Sequence, residues 1–250
     1  MGALGHRSST GDTRDWPVLQ AQWARLGNTL LDLIFPRRCG GCGKPGREWC
    51  DACRAQIRAV GSSICPHCGR PQPQSAVCPH CRHTPLEING IRSAVMFEGP
   101  AREAIHHLKY NGRTSLAEPL GDLLIESWQA NPLPADMLVP VPLHQARLRE
   151  RGYNQSALLG KRLAQATGLP LIEPALRRVK ATVPQITLTA AERKANVQDA
   201  FEARAELVGG KRVLLIDDVC TTGSTLEACQ LALKRAGAQS VWALTLARAP

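Results

Sequence analysis

Aromatic side chains make up only 4% of the 250 residues. A surface that holds single-stranded bases by stacking needs rings in series, so such a platform is poorly supported. In the cysteine-rich segment described below, Trp49 is the single candidate ring. No window of about 18 apolar residues occurs, which leaves no membrane-spanning helix to expect. The most apolar early stretch, Val18 to Ile34, is broken by Gln20, Gln22, Arg25, Asn28 and Asp32. Met1 to Asp15 is polar and lacks the apolar core of a secretory signal, so a reducing cytoplasm is the expected setting. Acidic residues are scarce beside basic ones, 21 against 31. That excess of ten points to an anionic partner: nucleic acid, a phosphorylated metabolite or a membrane surface.

The 44% of hydrophobic residues is enough, at this length, to bury roughly three quarters of the surface an unfolded chain exposes. Disorder and collagen-like repetition are excluded. Ten cysteines are present, and eight of them fall between Cys39 and Cys81 as four Cys-x-x-Cys pairs. Cys39 and Cys42 are joined to Cys50 and Cys53 by seven residues, and Cys65 and Cys68 to Cys78 and Cys81 by nine. Two residues between paired cysteines let both sulfurs of a tight turn reach one ion, and two turns supply the corners of a closed tetrahedral site. Two structural zinc ions are expected. An iron-sulfur cluster or a redox pair is the alternative, but no thioredoxin-like helix follows any pair. His67 and His80 lie within the spacers and are read as spacers, since each unit already has four thiols. Because binding energy at such sites is also folding energy, chelation is expected to melt this module and leave the later domain folded.

The cysteine segment is too poor in apolar residues to build a core unaided. Before it, Leu19, Trp23, Leu26, Leu30 and Leu33 recur at the helix period up to Pro36. This reads as a short amphipathic helix packing on the neighbouring module, since one cation, Arg25, is too few for a membrane-surface anchor. After about Leu86, strands and helices alternate. Ser93 to Phe97, Met137 to Val141, Val213 to Ile216 and Val241 to Leu246 read as strands. Arg102 to Tyr110, Leu116 to Trp128, Gln155 to Thr167 and Ser224 to Ala236 read as helices. The expectation is an α/β parallel sheet covered on both faces. Three segments follow: residues 1–36 as tail and helix, 37–85 as double ribbon, 86–250 as the α/β domain.

Chemistry concentrates in the run from Val213 to Thr225. Apolar residues form a central strand, Asp217 and Asp218 mark its C-terminal end, and Thr221, Thr222, Gly223, Ser224 and Thr225 lead into a helix. Backbone N–H groups there can wrap a phosphate at the positive end of the helix dipole. The loop is neither a Walker sequence nor a dinucleotide fingerprint. Two acids beside a phosphate cradle make sense if the ligand also offers a diol, whose hydroxyls donate to carboxylates. The plainer alternative is a helix N-cap, with Thr222 or Ser224 capping.

This run resembles the type I phosphoribosyltransferases. The resemblance implies that Asp217 and Asp218 hold the ribose hydroxyls of phosphoribosyl pyrophosphate, that Thr221 to Thr225 hold its 5-phosphate, and that magnesium accompanies it. Val139 to His144, with Arg147, Arg149, Arg151 and Gly152 to Gln155, is similar to that family's pyrophosphate loop. The bland reading of those arginines is a solvated helix face. Arg177 to Glu192, with Arg178, Lys180, Thr182 and Gln185, resembles the loop that closes over the site. Lys109 either contacts pyrophosphate or snorkels from its helix. Cys220 reads as a small apolar filler.

The whole layout, with Leu31 to Pro36 before the first cysteine, His107 to Tyr110, Val139 to Pro142 and Arg151 to Gln155, is similar to the ComF/GntX family of competence-associated proteins. One departure is Gln185-Ile186-Thr187-Leu188, where that family usually has a glycine before the leucine. The resemblance implies a role in natural transformation or DNA use, with single-stranded DNA and a replication-restart helicase as partners. A homodimer is a further expectation. Activity as a phosphoribosyltransferase and service as a non-catalytic nucleotide sensor, with the ribbons holding DNA or a protein, are both open. Eight thiolates and two zincs would lower the net charge to about +6, much of it where a pyrophosphate would sit.

Overall fold

The computed structural model describes residues 36–180 and 199–250. The helix expected between Leu19 and Leu33 and the closing-loop residues Thr182, Gln185 and Glu192 lie outside the described residues. Two cysteine knuckles open the described chain, each followed by a short helix, α1 (Asp51–Ala55) and α2 (Pro79–His83). The α/β domain then runs β1 (Gly90–Met96), α3 (Gly99–Tyr110), α4 (Ala117–Ala130), β2 (Met137–Pro140), α5 (Gln145–Arg151) and α6 (Gln155–Thr167). After these come β3 (Leu176–Arg178), β4 (Phe201–Ala203), α7 (Ala205–Val208), β5 (Arg212–Cys220), α8 (Ser224–Arg235) and β6 (Ser240–Arg248).

Among the described residues the main sheet has four parallel strands in the order β1-β6-β5-β2. Alternation along β5 explains why both faces are covered. Leu214 and Ile216 join Leu120, Leu124, Leu159 and Leu163 of α4 and α6 in one core. Val213 and Leu215 join Leu226, Cys229 and Leu233 of α8 in the other. A strand buried on both sides reads as a continuous apolar run, which is what Val213 to Ile216 is.

The helices follow the same logic. Ala101, Ala104, Ile105 and Leu108 give α3 one buried stripe, and Pro100 stands at its first turn, where a missing N–H costs nothing. The expected helix from Gln155 to Thr167 is α6 residue for residue. The arginine run is also helical: α5 ends at Gly152, whose φ of +80° closes it in the left-handed conformation.

β2 stops at Pro140, opposite Ile216, while β5 continues through Asp217 and Asp218 to Cys220. The crossovers leave this pair in opposite directions. From β5, α8 returns to β6 on one side; from β2, α6 leads to Leu171, which bridges Leu138 on the other. That divergence opens a crevice at the C-terminal ends of β2 and β5, where ligands bind in open α/β sheets.

The ribbons are joined to the sheet. The Val60 N–H donates to the Ala94 carbonyl at 3.0 Å, the Met96 N–H to Arg58 at 2.8 Å, and the Ile91 N–H to His67 at 2.8 Å. The second knuckle and the segment after the first thus line the outer edge of β1.

Candidate functional site

Each knuckle is built the same way. Cys39 N–H donates to the Lys44 carbonyl and Gly43 N–H to Cys39; Cys65 N–H donates to Arg70 and Gly69 N–H to Cys65. Gly43 and Gly69 take φ of +74° and +69°, the left-handed turn that lets the chain fold back after the second cysteine. The four sulfurs of Cys39, Cys42, Cys50 and Cys53 lie within 4.8 Å of one another, as do those of Cys65, Cys68, Cys78 and Cys81. A tetrahedral zinc with sulfur at about 2.3 Å requires sulfurs about 3.8 Å apart. Cys42 and Cys50 are 3.8 Å apart and Cys68 and Cys78 3.7 Å, so both sets fit zinc.

Backbone N–H groups already aim at these sulfurs. Cys39 Sγ accepts from Gly41 and Cys50 at 3.4 Å each, and Cys65 Sγ accepts from Cys78 at 3.4 Å. Burial alone would raise these thiols, but the N–H bonds outweigh it and draw Cys39 and Cys65 down to about 6. The two sites differ in exposure: Cys42 is exposed, whereas all four cysteines of the second set are buried.

At the crevice, Asp218 is 3% exposed and Asp217 partly buried. Ser156, at the start of α6, donates its hydroxyl to Asp217 Oδ1 at 2.9 Å, and Asp218 N–H donates to the same oxygen at 2.9 Å. Lys109 turns inward from α3: its Nζ lies 2.8 Å from Asp218 Oδ1. Burial disfavours that ammonium, yet the facing Asp218 and Asp217 carboxylates more than compensate and raise Lys109. The second oxygen, Asp218 Oδ2, is buried without a hydrogen-bond partner. Burial and the charge of Asp218 push Asp217 up to about 7.

The loop from Thr221 to Thr225 enters α8 with Gly223 as N-cap at φ +89° and no side-chain cap. Thr222 and Ser224 bond each other through their hydroxyls at 2.8 Å instead. Thr222 Oγ1 also accepts from the Ser224 N–H at 3.4 Å, a weak local cap of the kind the plainer alternative expects, while Gly223 at the N-cap position has no side chain to offer.

Of the expected pyrophosphate residues, Lys109, Arg147 and Arg151 line one cavity of about 270 Å³ with Tyr110, Gly112, Glu150 and Tyr153. Helical spacing explains the selection, since Arg147 and Arg151 are four apart on α5 and Arg149 points elsewhere. Arg147 pairs with Glu150 at 3.5 Å, and Arg151 bonds Gln155 and lies 5.4 Å over the Tyr110 ring. Arg178 covers Phe201 at 5.4 Å; burial lowers its guanidinium, opposed by Cys229 and Asp217 and aided by the like charge of Arg147. Lys180 is set apart: its charge acts on Asp199, which pairs with Arg235 in the last turn of α8, a helix length from the phosphate loop.

Residues 151–155 form the brace of the site. Gly152 ends α5, Tyr153 donates to the Leu108 carbonyl, and Asn154 caps α6 at 3.0 Å while its amide donates to Val141 at 3.1 Å. Ser156 went unnoticed in the sequence because a serine in a helix's first turn reads as a local cap. Cys220, raised by burial to about 11, bonds the Arg248 guanidinium and is not a reactive thiol.

Comparison with known proteins follows these features. Residues 30–82 match the model of the double zinc ribbon domain and residues 164–250 that of the phosphoribosyl transferase domain. The chain is 36% identical over 226 residues to the DNA utilization protein YhgH of Escherichia coli K12, covering 85% of this chain and 98% of that one. It is 31% identical over 213 residues to competence protein ComFC of Bacillus subtilis, covering 82% and 86%. A solved glutamine phosphoribosylpyrophosphate amidotransferase of B. subtilis is 21% identical over 56% of this chain and 30% of that chain, with a TM-score of 0.40. No helix among the described residues is long and apolar enough to cross a membrane. With paired four-cysteine sites on a parallel sheet that carries an acid pair before a threonine- and serine-rich loop, and with YhgH and ComFC matched over 85% and 82% of its length, the chain belongs to the ComF/GntX family.

Proposed function

We propose that the crevice binds phosphoribosyl pyrophosphate with magnesium. Asp217 and Asp218 take the ribose hydroxyls, the Thr221 to Thr225 loop the 5-phosphate, and Lys109, Arg147 and Arg151 the pyrophosphate, with Arg178 at its margin. The observation that carries this reading is the unpartnered, buried Asp218 Oδ2. It lies five residues before Gly223, which opens α8, and across Lys109 from a cationic cavity. A buried acceptor without a donor costs about 1–3 kcal/mol, and a ligand hydroxyl removes that cost. Magnesium, held by the ligand's own pyrophosphate oxygens, would supply further neutralising charge.

In a transfer reaction the cationic cavity favours departure of the pyrophosphate, while Asp217 and Asp218 keep the ribose oriented. Lys109 bridges the two halves and turns from Asp218 toward the departing group. The relatives' names, DNA utilization and competence, support a role in DNA use or natural transformation, and single-stranded DNA is the macromolecular ligand that this reading proposes.

The test is calorimetry of the full chain with phosphoribosyl pyrophosphate and magnesium, against Asp218→Ala. Binding in the parent that falls by about tenfold or more in the variant supports the assignment, because a charge-assisted hydrogen bond is worth about 1.5–3 kcal/mol. No binding in the parent overturns it. Release of pyrophosphate with any of a panel of nucleobases identifies a transferase; binding without release identifies a nucleotide sensor.

A further inference from the structure

Arg248, at the end of β6, is 1% exposed, and no carboxylate pairs with it among the described residues. Its Nη1 donates to the Cys68 carbonyl at 2.9 Å and to Cys220 Sγ at 2.8 Å. A buried guanidinium without an anion is costly, so a countercharge must be near. Cys68 belongs to the second four-thiolate set, which carries two net negative charges when it holds zinc. Arg92 faces the same centre: it donates to the Pro66 carbonyl at 3.0 Å and feels the charges of Cys65 and Cys68. Cys220, the other partner of Arg248, is the residue that enters the phosphate loop.

Two further links join the same ribbon to the same loop. Ile91 donates its N–H to His67 inside the second knuckle, and its Cδ1 lies 3.2 Å from where a Cβ on Gly223 would stand. Glu227, in the first turn of α8, accepts from the Glu87 and Ile88 N–H groups at 2.7 and 3.3 Å, holding the chain that leaves the ribbon. Through Arg248, Ile91 and Glu227, the residue before the loop, its Gly223 and the first turn of α8 are each linked to the second ribbon or its exit. The first ribbon instead meets α3 and α4: Gly41 packs on Pro100, and Arg54 pairs with Glu126.

We propose that Arg248 is a positioning residue that couples the phosphate loop to the metal of the second ribbon, so that zinc at Cys65, Cys68, Cys78 and Cys81 tightens ligand binding while zinc at the first ribbon does not. This rests on the loop being the ligand site proposed above. Linkage is reciprocal, so the ligand must tighten that zinc by the same factor.

The test uses the full chain with Cys42→Ser, which removes the exposed ligand of the first site and leaves the second to be read alone. Zinc affinity is measured by competition with a zinc-selective chelator, with and without phosphoribosyl pyrophosphate and magnesium. The expected result is an increase of about tenfold, within the usual range of coupling between sites. Arg248→Met abolishes the increase, and Arg248→Lys, which keeps the charge but not the fork, restores part of it. Ligand binding with unchanged zinc affinity overturns the coupling, and so does an Arg248→Met chain that keeps it. Absence of any binding heat with the parent is a different result: the ligand assignment itself fails, and the coupling with it.

Discussion

Tyr153 donates its hydroxyl hydrogen to the carbonyl of Leu108, the residue before Lys109. This bond ties the brace after α5 to the last turn of α3, and so sets the place of the lysine that faces Asp218. Tyr153→Phe is expected to cost about 0.5–1.5 kcal/mol in urea unfolding, the usual net value of one such bond. Its larger effect falls on the pyrophosphate half of the ligand. Calorimetry should show affinity for phosphoribosyl pyrophosphate falling while affinity for ribose 5-phosphate changes little. Equal losses for both ligands would refute the brace.

The acid pair makes the chain sensitive to pH. Burial and the Asp218 charge lift Asp217 to about 7, against the pull of Lys109 and Ser156. In the unfolded chain the same group titrates near about 3.9. Between those values the folded chain keeps a proton that the unfolded chain has lost, so this group's contribution to stability is lost as pH rises from about 4 to about 7. Hydroxyl donors require the carboxylate, so ligand affinity rises as pH passes about 7. Asp217→Asn should flatten the stability profile, and Ser156→Ala, which removes a donor to the carboxylate, should move the binding midpoint upward. Urea unfolding and calorimetry across pH 4–9 check both; a Ser156→Ala midpoint at or below the parent's would count against the assignment.

Gly223 takes φ of +89°, a conformation that costs an L-residue about 1–2 kcal/mol, and a Cβ there would press on Ile91 Cδ1 at 3.2 Å. Gly223→Ala is therefore expected to destabilise by roughly that amount and to displace the start of α8. The paired readouts are urea midpoint and phosphate affinity. A stable variant with full affinity would mean that the loop tolerates another path.

Metal removal reaches further than a separable module would allow. Ile91 and Met96 of β1 donate their amide hydrogens to His67 and Arg58 in the ribbon segment. Structural zinc contributes on the order of 10 kcal/mol per ion to folding. Chelation is expected to expose the Ile91 and Met96 amides to hydrogen exchange along with the knuckles, while Leu215 in the centre of the sheet stays protected. Unchanged protection at Ile91 and Met96 would restore the picture of a ribbon that melts alone.

What the sequence disclosed were features whose cause is local. Cysteine spacing, the apolar run before two acids, and the period of α6 each follow from neighbours in the chain. Asn154 and Gly152 bound their helices where side-chain and left-handed caps demand. The features missed depend on distant partners. Val213 to Ile216 reads as the full strand, yet β5 continues to Cys220 because β6 pairs with it as far as Arg248. Arg248 lies beyond the strand read from the sequence, Val241 to Leu246, and nothing local announces Cys68, 180 residues away. Ser156 meets Asp217 only because β2 stops short and lets α6 begin beside β5. The arginine run was ambiguous between cradle and solvated face, and the helix resolves it by direction: Arg147 and Arg151 turn to the cavity, and Arg149 does not.

The hydrogen bonds from β1 to residues 58 and 67 also bear on how this chain avoids itself. A bare edge strand offers unpaired N–H and C=O groups to any other chain, and β1 is the outermost strand at its end of the main sheet. The ribbon segment covers that edge with main chain rather than with charge. Stripping the metal would uncover a template for intermolecular strand pairing, and the first visible sign of zinc loss would be self-association, before the sheet itself had opened.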